Sequence, residues 1–68
     1  MLHLIAKRPI TLHTDNGQVK LVQRQRLNIL SSESVEMFGQ NYIQMTFKKG
    51  ATLHTFKTLA TSFSTQFA

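Results

Sequence analysis

Three acids and three histidines hold most of the titratable chemistry that could act on a substrate in this 68-residue chain: Asp15, Glu33, Glu36, His3, His13 and His54. General acid–base catalysis needs such groups within hydrogen-bond reach of a shared reacting centre. Asp15 stands in Asp15-Asn16-Gly17, where a turn gives its carboxylate the ordinary work of accepting backbone hydrogen bonds. Glu33 and Glu36 could share a helical face, but like charges at that spacing mark a solvated helix start rather than a catalytic pair. No histidine has the close ligand spacing of a zinc motif, and the chain has no cysteine to complete one. His13 and His54 each follow a leucine and precede a threonine. Side chains alternate along a strand, so both are expected to point away from that leucine, toward the surface.

Nucleophile chemistry is equally poorly served. Serine and threonine are plentiful, yet the Gly-x-Ser-x-Gly elbow is missing. Gly17, Gly39 and Gly50 are isolated, so neither Gly-x-x-x-x-Gly-Lys nor Gly-x-Gly-x-x-Gly occurs. The sequence therefore reads as a binding protein rather than an enzyme, with no cofactor and no metal.

What it offers a partner is positive charge. Eight Lys and Arg against three Asp and Glu give a net charge of +5, and such an excess attracts polyanions at long range. Lys20, Arg24 and Arg26 fall on one face if residues 19–30 are extended. Lys7 with Arg8, and Lys48 with Lys49, form two further basic pairs. Gln23, Gln25 and Asn28 lie among these charges and could hydrogen-bond bases or sugars, and Tyr42 could stack on an unpaired base. Together they predict a basic β-ribbon that docks on DNA or RNA. The same cations could meet an acidic protein surface, or simply keep sheet edges soluble.

The elements that must position these groups are mostly strands. Leu2, Leu4 and Ala6 alternate with His3, Ile5 and Lys7 in a first strand, which Pro9 ends or bends. Ile10–Thr14 and Val19–Leu21 flank Asp15-Asn16-Gly17, the clearest β-hairpin signal in the chain. Val19, Leu21, Leu27 and Ile29 share one face of a long second arm. Gln23 and Gln25 would be buried on that face, so the arm is expected to project beyond the core or bend through a bulge. Residues 31–39 suggest a single helical turn capped by Ser32 and stopped by Gly39, with an irregular loop as the alternative. Tyr42–Lys48 is a half-buried strand with Ile43, Met45 and Phe47 inward.

The last third has a helical period. Leu53, Phe56, Leu59, Ala60, Phe63 and Phe67 fall in an arc of about 120°. The expectation is an amphipathic helix beginning near Thr52, with a strand over residues 51–56 as its rival, because threonine is a weak helix former. Thr11-Leu12-His13-Thr14 also recurs as Thr52-Leu53-His54-Thr55, and its first copy reads as strand. Phe56, Phe63 and Phe67 either complete the core or form an interface, with a second copy in a homodimer or with another protein.

The predicted fold is thus α+β, one domain over residues 1–68: a small antiparallel sheet of about four strands with a C-terminal helix. A small all-β barrel is the rival. No apolar run approaches the roughly 18 residues of a membrane span. The N-terminal charges follow the apolar residues, the reverse of a secretory signal, which predicts a cytoplasmic protein without membrane contact.

Overall fold

The computed structural model describes residues 2–68. Six strands precede one short helix: β1 (Leu2–Ile5), β2 (Ile10–Thr14), β3 (Gly17–Leu21), β4 (Arg26–Met37), β5 (Gln40–Lys49), β6 (Thr52–Leu59) and α1 (Ala60–Gln66). The four-stranded sheet has the order β1-β4-β5-β6, and β2 pairs with β3 in a separate two-stranded sheet. All pairings are antiparallel. The two sheets do not close into a barrel, so the fold is α+β. The side chain of Leu2, expected beside Leu4 and Ala6, lies outside the described residues.

The β2–β3 hairpin forms around Asp15-Asn16 as its sequence predicts, with Leu12 opposite Val19 and Thr14 opposite Gly17. Its long second arm does not continue. β3 stops at Leu21 and the chain turns at Val22–Gln25 before β4 begins. Arg24 takes a positive φ of 71°. The Gln25 N–H donates to the Val22 carbonyl at 3.1 Å, and the Gln25 side-chain oxygen accepts from the Val22 N–H at 3.0 Å. The glutamines that could not be buried on a flat strand thus mark a break in it. The continuous ribbon over residues 19–30 is corrected to two strands in different sheets.

No helical turn occupies residues 31–39. β4 runs on to Met37, and Phe38-Gly39 make the turn into β5. Ladder bonds to β5, from Ser31 opposite Thr46 to Met37 opposite Gln40, outcompete one isolated helical turn, which fixes many dihedrals for few bonds. β4 has twelve residues, roughly 36 Å if straight, which exceeds the 33 Å longest dimension of the molecule. It bends at an irregularity between Ile29 and Ser31, as a bulge would make it.

The helix expected from Thr52 is corrected to a strand followed by a helix. Lys49 pairs with Thr52 across Gly50-Ala51, and β6 continues to Leu59 before α1 starts at Ala60. Thr52, Thr55 and Thr58 suit a pleated, half-buried surface better than a helix. The apolar spacing misleads because Phe56 anchors β6, Phe63 lies on α1 and Phe67 lies beyond α1. Phe67 bridges Ala6 in an isolated antiparallel pair, and Ile5 and Ala68 exchange hydrogen bonds of 3.3 and 2.8 Å.

The core joins both sheets: Leu12, Val19 and Leu21 from the hairpin meet Leu27, Ile29, Met45, Phe47 and Phe56. Phe47 and Met45 are the largest fully buried side chains, each contributing about 1.5–3 kcal/mol by leaving water. Phe63 packs partly against this core, with its ring 5.7 Å from that of Phe67. The hairpin turn also covers the free edge of β6. The Asp15 carboxylate accepts from the Thr55 N–H at 2.8 Å, the Asp15 N–H donates to the Thr55 carbonyl at 3.1 Å, and the Asn16 amide donates to the Leu53 carbonyl at 2.6 Å. These bonds blunt an edge that would otherwise invite another strand.

Candidate nucleic-acid interface

Register decides where the cations go. β1 and β4 are antiparallel with Ile5 opposite Arg26, so the end of β1 meets the start of β4. The Arg24 N–H donates to the Ala6 carbonyl at 2.7 Å, and the Ala6 N–H donates to the Gln25 carbonyl at 2.9 Å. Lys7 and Arg8 follow Ala6 directly, and the Lys7 N–H donates to the Gln66 carbonyl at 2.8 Å. Main-chain bonds thus join Lys7, Arg8, Arg24 and Arg26 in one junction, and Lys20 on β3 stands two residues before its Val22–Gln25 turn. The β4–β5 ladder ends at Ile29 opposite Phe47, so Lys48 and Lys49 lie beyond it, opposite Leu53 and Thr52 of β6, and Lys57 on β6 lies opposite Gln44.

All eight Lys and Arg are exposed. Among the described residues, only the Lys7 ammonium is drawn into the chain, donating to the Ser64 carbonyl at 2.5 Å. Asp15 is held against β6 at Thr55, two residues from Leu53, the partner of Lys48, while Glu33 and Glu36 stand on the far half of β4, where Gln44 donates to Glu33 at 3.1 Å. The group of Lys7, Arg8, Arg24 and Arg26 rests on a backbone junction held by main-chain bonds.

The other expected contact residues are distributed differently. Gln23 is exposed within the turn, among the cations. Gln25 is half-buried, with its side-chain oxygen committed to the Val22 N–H. Asn28 bonds the His3 ring at 2.7 Å. Tyr42 lies on the opposite half of the sheet, level with Val35 and Leu59, with its hydroxyl donating to Gln40 at 3.4 Å. Phe56 and Phe67 are core residues, and Phe63 is half-buried against them. His54, expected at the surface, is only 7% exposed. It stacks on Phe47 at 5.4 Å and shares a 2.7 Å hydrogen bond with the Thr14 hydroxyl.

Two features escaped the sequence. One is the meeting of Lys7 and Arg8 with Arg24 and Arg26, which the antiparallel pairing of Ile5 with Arg26 brings about. The other is Phe38 at the β4–β5 turn, 93% exposed, whose neighbour Gly39 was read as a helix stop rather than half of a hairpin turn. A cleft of about 440 Å³ also opens between the β2–β3 hairpin and β6, lined by His13, Asp15, Gln44, Thr55, Phe56 and Lys57. Among the described residues, no group of three or more metal-binding side chains comes together, and no helix is long and apolar enough to cross a membrane. Searches of protein-family models, curated proteins and solved structures find no match to this chain.

Proposed function

We propose that this protein is a non-catalytic nucleic-acid-binding protein that grips the phosphate backbone with the basic end of its sheet. The observation that carries the reading is the gathering of Lys7, Arg8, Arg24 and Arg26 around one junction, with Lys20 two residues before its turn and Glu33 and Glu36 on the far half of β4. Arginine forks and lysine ammoniums suit phosphate oxygens, and each neutralised phosphate releases counterions.

The chemistry favours backbone contact over base reading. Gln25 and Asn28 already have partners within the chain, and Tyr42 stands at the other end of the sheet. Gln23 alone remains among the polar candidates, too little for a base code. Binding is therefore expected to be insensitive to sequence and steeply dependent on salt.

Fluorescence anisotropy with two duplexes of unrelated sequence, titrated at several salt concentrations, tests this. Engagement of about five phosphates gives a log–log salt slope near −4.5. Arg24→Ala with Arg26→Ala is expected to make that slope shallower by about 2. Lys7→Ala with Arg8→Ala should do the same, because main-chain bonds join that segment to the same junction, whereas Lys57→Ala should leave it unchanged. Absence of binding at low salt, or a slope indifferent to the first two pairs, sinks the reading.

A further inference from the structure

The hairpin turn closes only part of the outer edge of β6. At Asp15 it takes the place of a strand: the Asp15 N–H donates to the Thr55 carbonyl at 3.1 Å, and its carboxylate accepts from the Thr55 N–H at 2.8 Å. Main-chain directions alternate along an antiparallel ladder, so Lys57, two residues on, also turns its N–H and C=O away from β5. On the facing side, the two-residue turn makes Thr14 and Gly17 a hydrogen-bonded pair. The same alternation then turns the main chain of His13 and Thr11 away from β3. Among the described residues, no hydrogen bond reaches the main chain of Thr11, His13 or Lys57.

The two edges do not zip together. Beyond Asp15 and Thr55 they part around the cleft of about 440 Å³, which His13 and Lys57 line. A recess of about 140 Å³ continues it along Thr11, His13, Lys57 and Thr58. β2 recedes from Asp15 as β6 advances from Thr55, so the walls run antiparallel and the turn closes one end. β2 offers two donor–acceptor pairs at two-residue spacing, and Lys57 offers a third from the other wall. That is the hydrogen-bonding pattern an extended main chain satisfies when it adds to a sheet edge. The side chains add a charge preference: Lys57 brings an ammonium and His13 an imidazole, while the Asp15 carboxylate is engaged by the Thr55 N–H. We propose that this cleft receives an extended peptide segment of a partner protein. Its main chain bonds Thr11 and His13 on one side and Lys57 on the other, and an acidic side chain lies beside Lys57. The cleft shares no residue with the basic junction, so the two surfaces act independently.

Selection of a phage-displayed library of random heptapeptides on the full chain, without nucleic acid, tests this independently of the function proposed above. An enriched peptide is then made synthetically and titrated while the amide signals are followed by NMR. The expected peptides carry Asp or Glu and move the Thr11, His13 and Lys57 amides, leaving those of Lys7, Arg24 and Arg26 in place. Methylating the main-chain nitrogens of the peptide should weaken binding about tenfold or more, the worth of one or two hydrogen bonds. Lys57→Ala keeps its main-chain groups, so it should still bind the peptide but no longer prefer it over its Asn or Gln counterpart. No enrichment over an unrelated protein overturns the proposal. So does equal binding of the N-methylated peptide, a set of signal changes confined to the basic junction, or a Lys57→Ala protein that keeps the acidic preference.

Discussion

Thr11-Leu12-His13-Thr14 on β2 and Thr52-Leu53-His54-Thr55 on β6 are the same tetrapeptide in the same secondary structure, yet they turn opposite sides to the core. Leu12 is 6% exposed and His13 lies outside, whereas His54 is 7% exposed and Leu53 is 52% exposed. The partners explain the inversion. In the hairpin, Leu12 faces Val19, which is also buried. On β6, His54 lies opposite Phe47 and Phe56 lies opposite Met45. A slip of one residue would bury Leu53 but expose Phe56, which the larger aromatic area opposes. The buried imidazole stays hydrogen-bonded because the Thr14 hydroxyl, from the first copy, reaches it. Facing is therefore a property of strand register and of the neighbours it recruits, not of the local residues.

The comparison can be broken by mutation, beginning with its anchor. Phe56→Ala should cost about 3–5 kcal/mol, a large share of the ~3–10 kcal/mol available to a chain this size. Urea unfolding would then show a mostly collapsed baseline or none. An unaffected midpoint would mean that Phe56 does not fix the register of β6. Next come the leucines: Leu12→Ala is expected to cost about 2–4 kcal/mol and Leu53→Ala less than about 0.5. Equal losses in urea midpoint would refute the assigned inversion. The histidines should show the reverse order with a smaller gap. His54→Ala removes a stack and leaves the Thr14 hydroxyl without that partner, for about 1–2 kcal/mol, while His13→Ala stays within about 0.5. Thermal midpoints suffice to rank this last pair.

Much of the fold was legible where a local rule had no competitor. Asp15-Asn16-Gly17 carries its own turn chemistry, and Ile43, Met45 and Phe47 alternate without ambiguity, so the hairpin and β5 stand where expected. Residues 52–67 were misread because an apolar spacing of three to four is shared by a helix and by a strand that hands over to one. Threonine content, which argued against the helix, was the better guide. The helical turn over residues 31–39 failed for a related reason. Ser32 and Gly39 can cap a helix, but they can equally sit in a strand and a turn, and the ladder bonds of β5 decided between these uses. As for the site, the cations themselves were legible, while their arrangement was not. Alternation groups Lys20, Arg24 and Arg26 along one strand, and the chain places them instead across the turn between β3 and β4, beside the end of β1.

The sequence by itself determined the charge excess, the scarcity of acids, the tight turns and the inward aromatic set, because these follow from residue type or from partners a few positions away. Only the tertiary structure decided which histidine is buried, that Phe38 stands exposed, and that Lys7 and Arg8 join Arg24 and Arg26. Each of those outcomes depends on pairing between segments separated by many residues. Alternation along a single strand carries no information about the strand that will lie beside it.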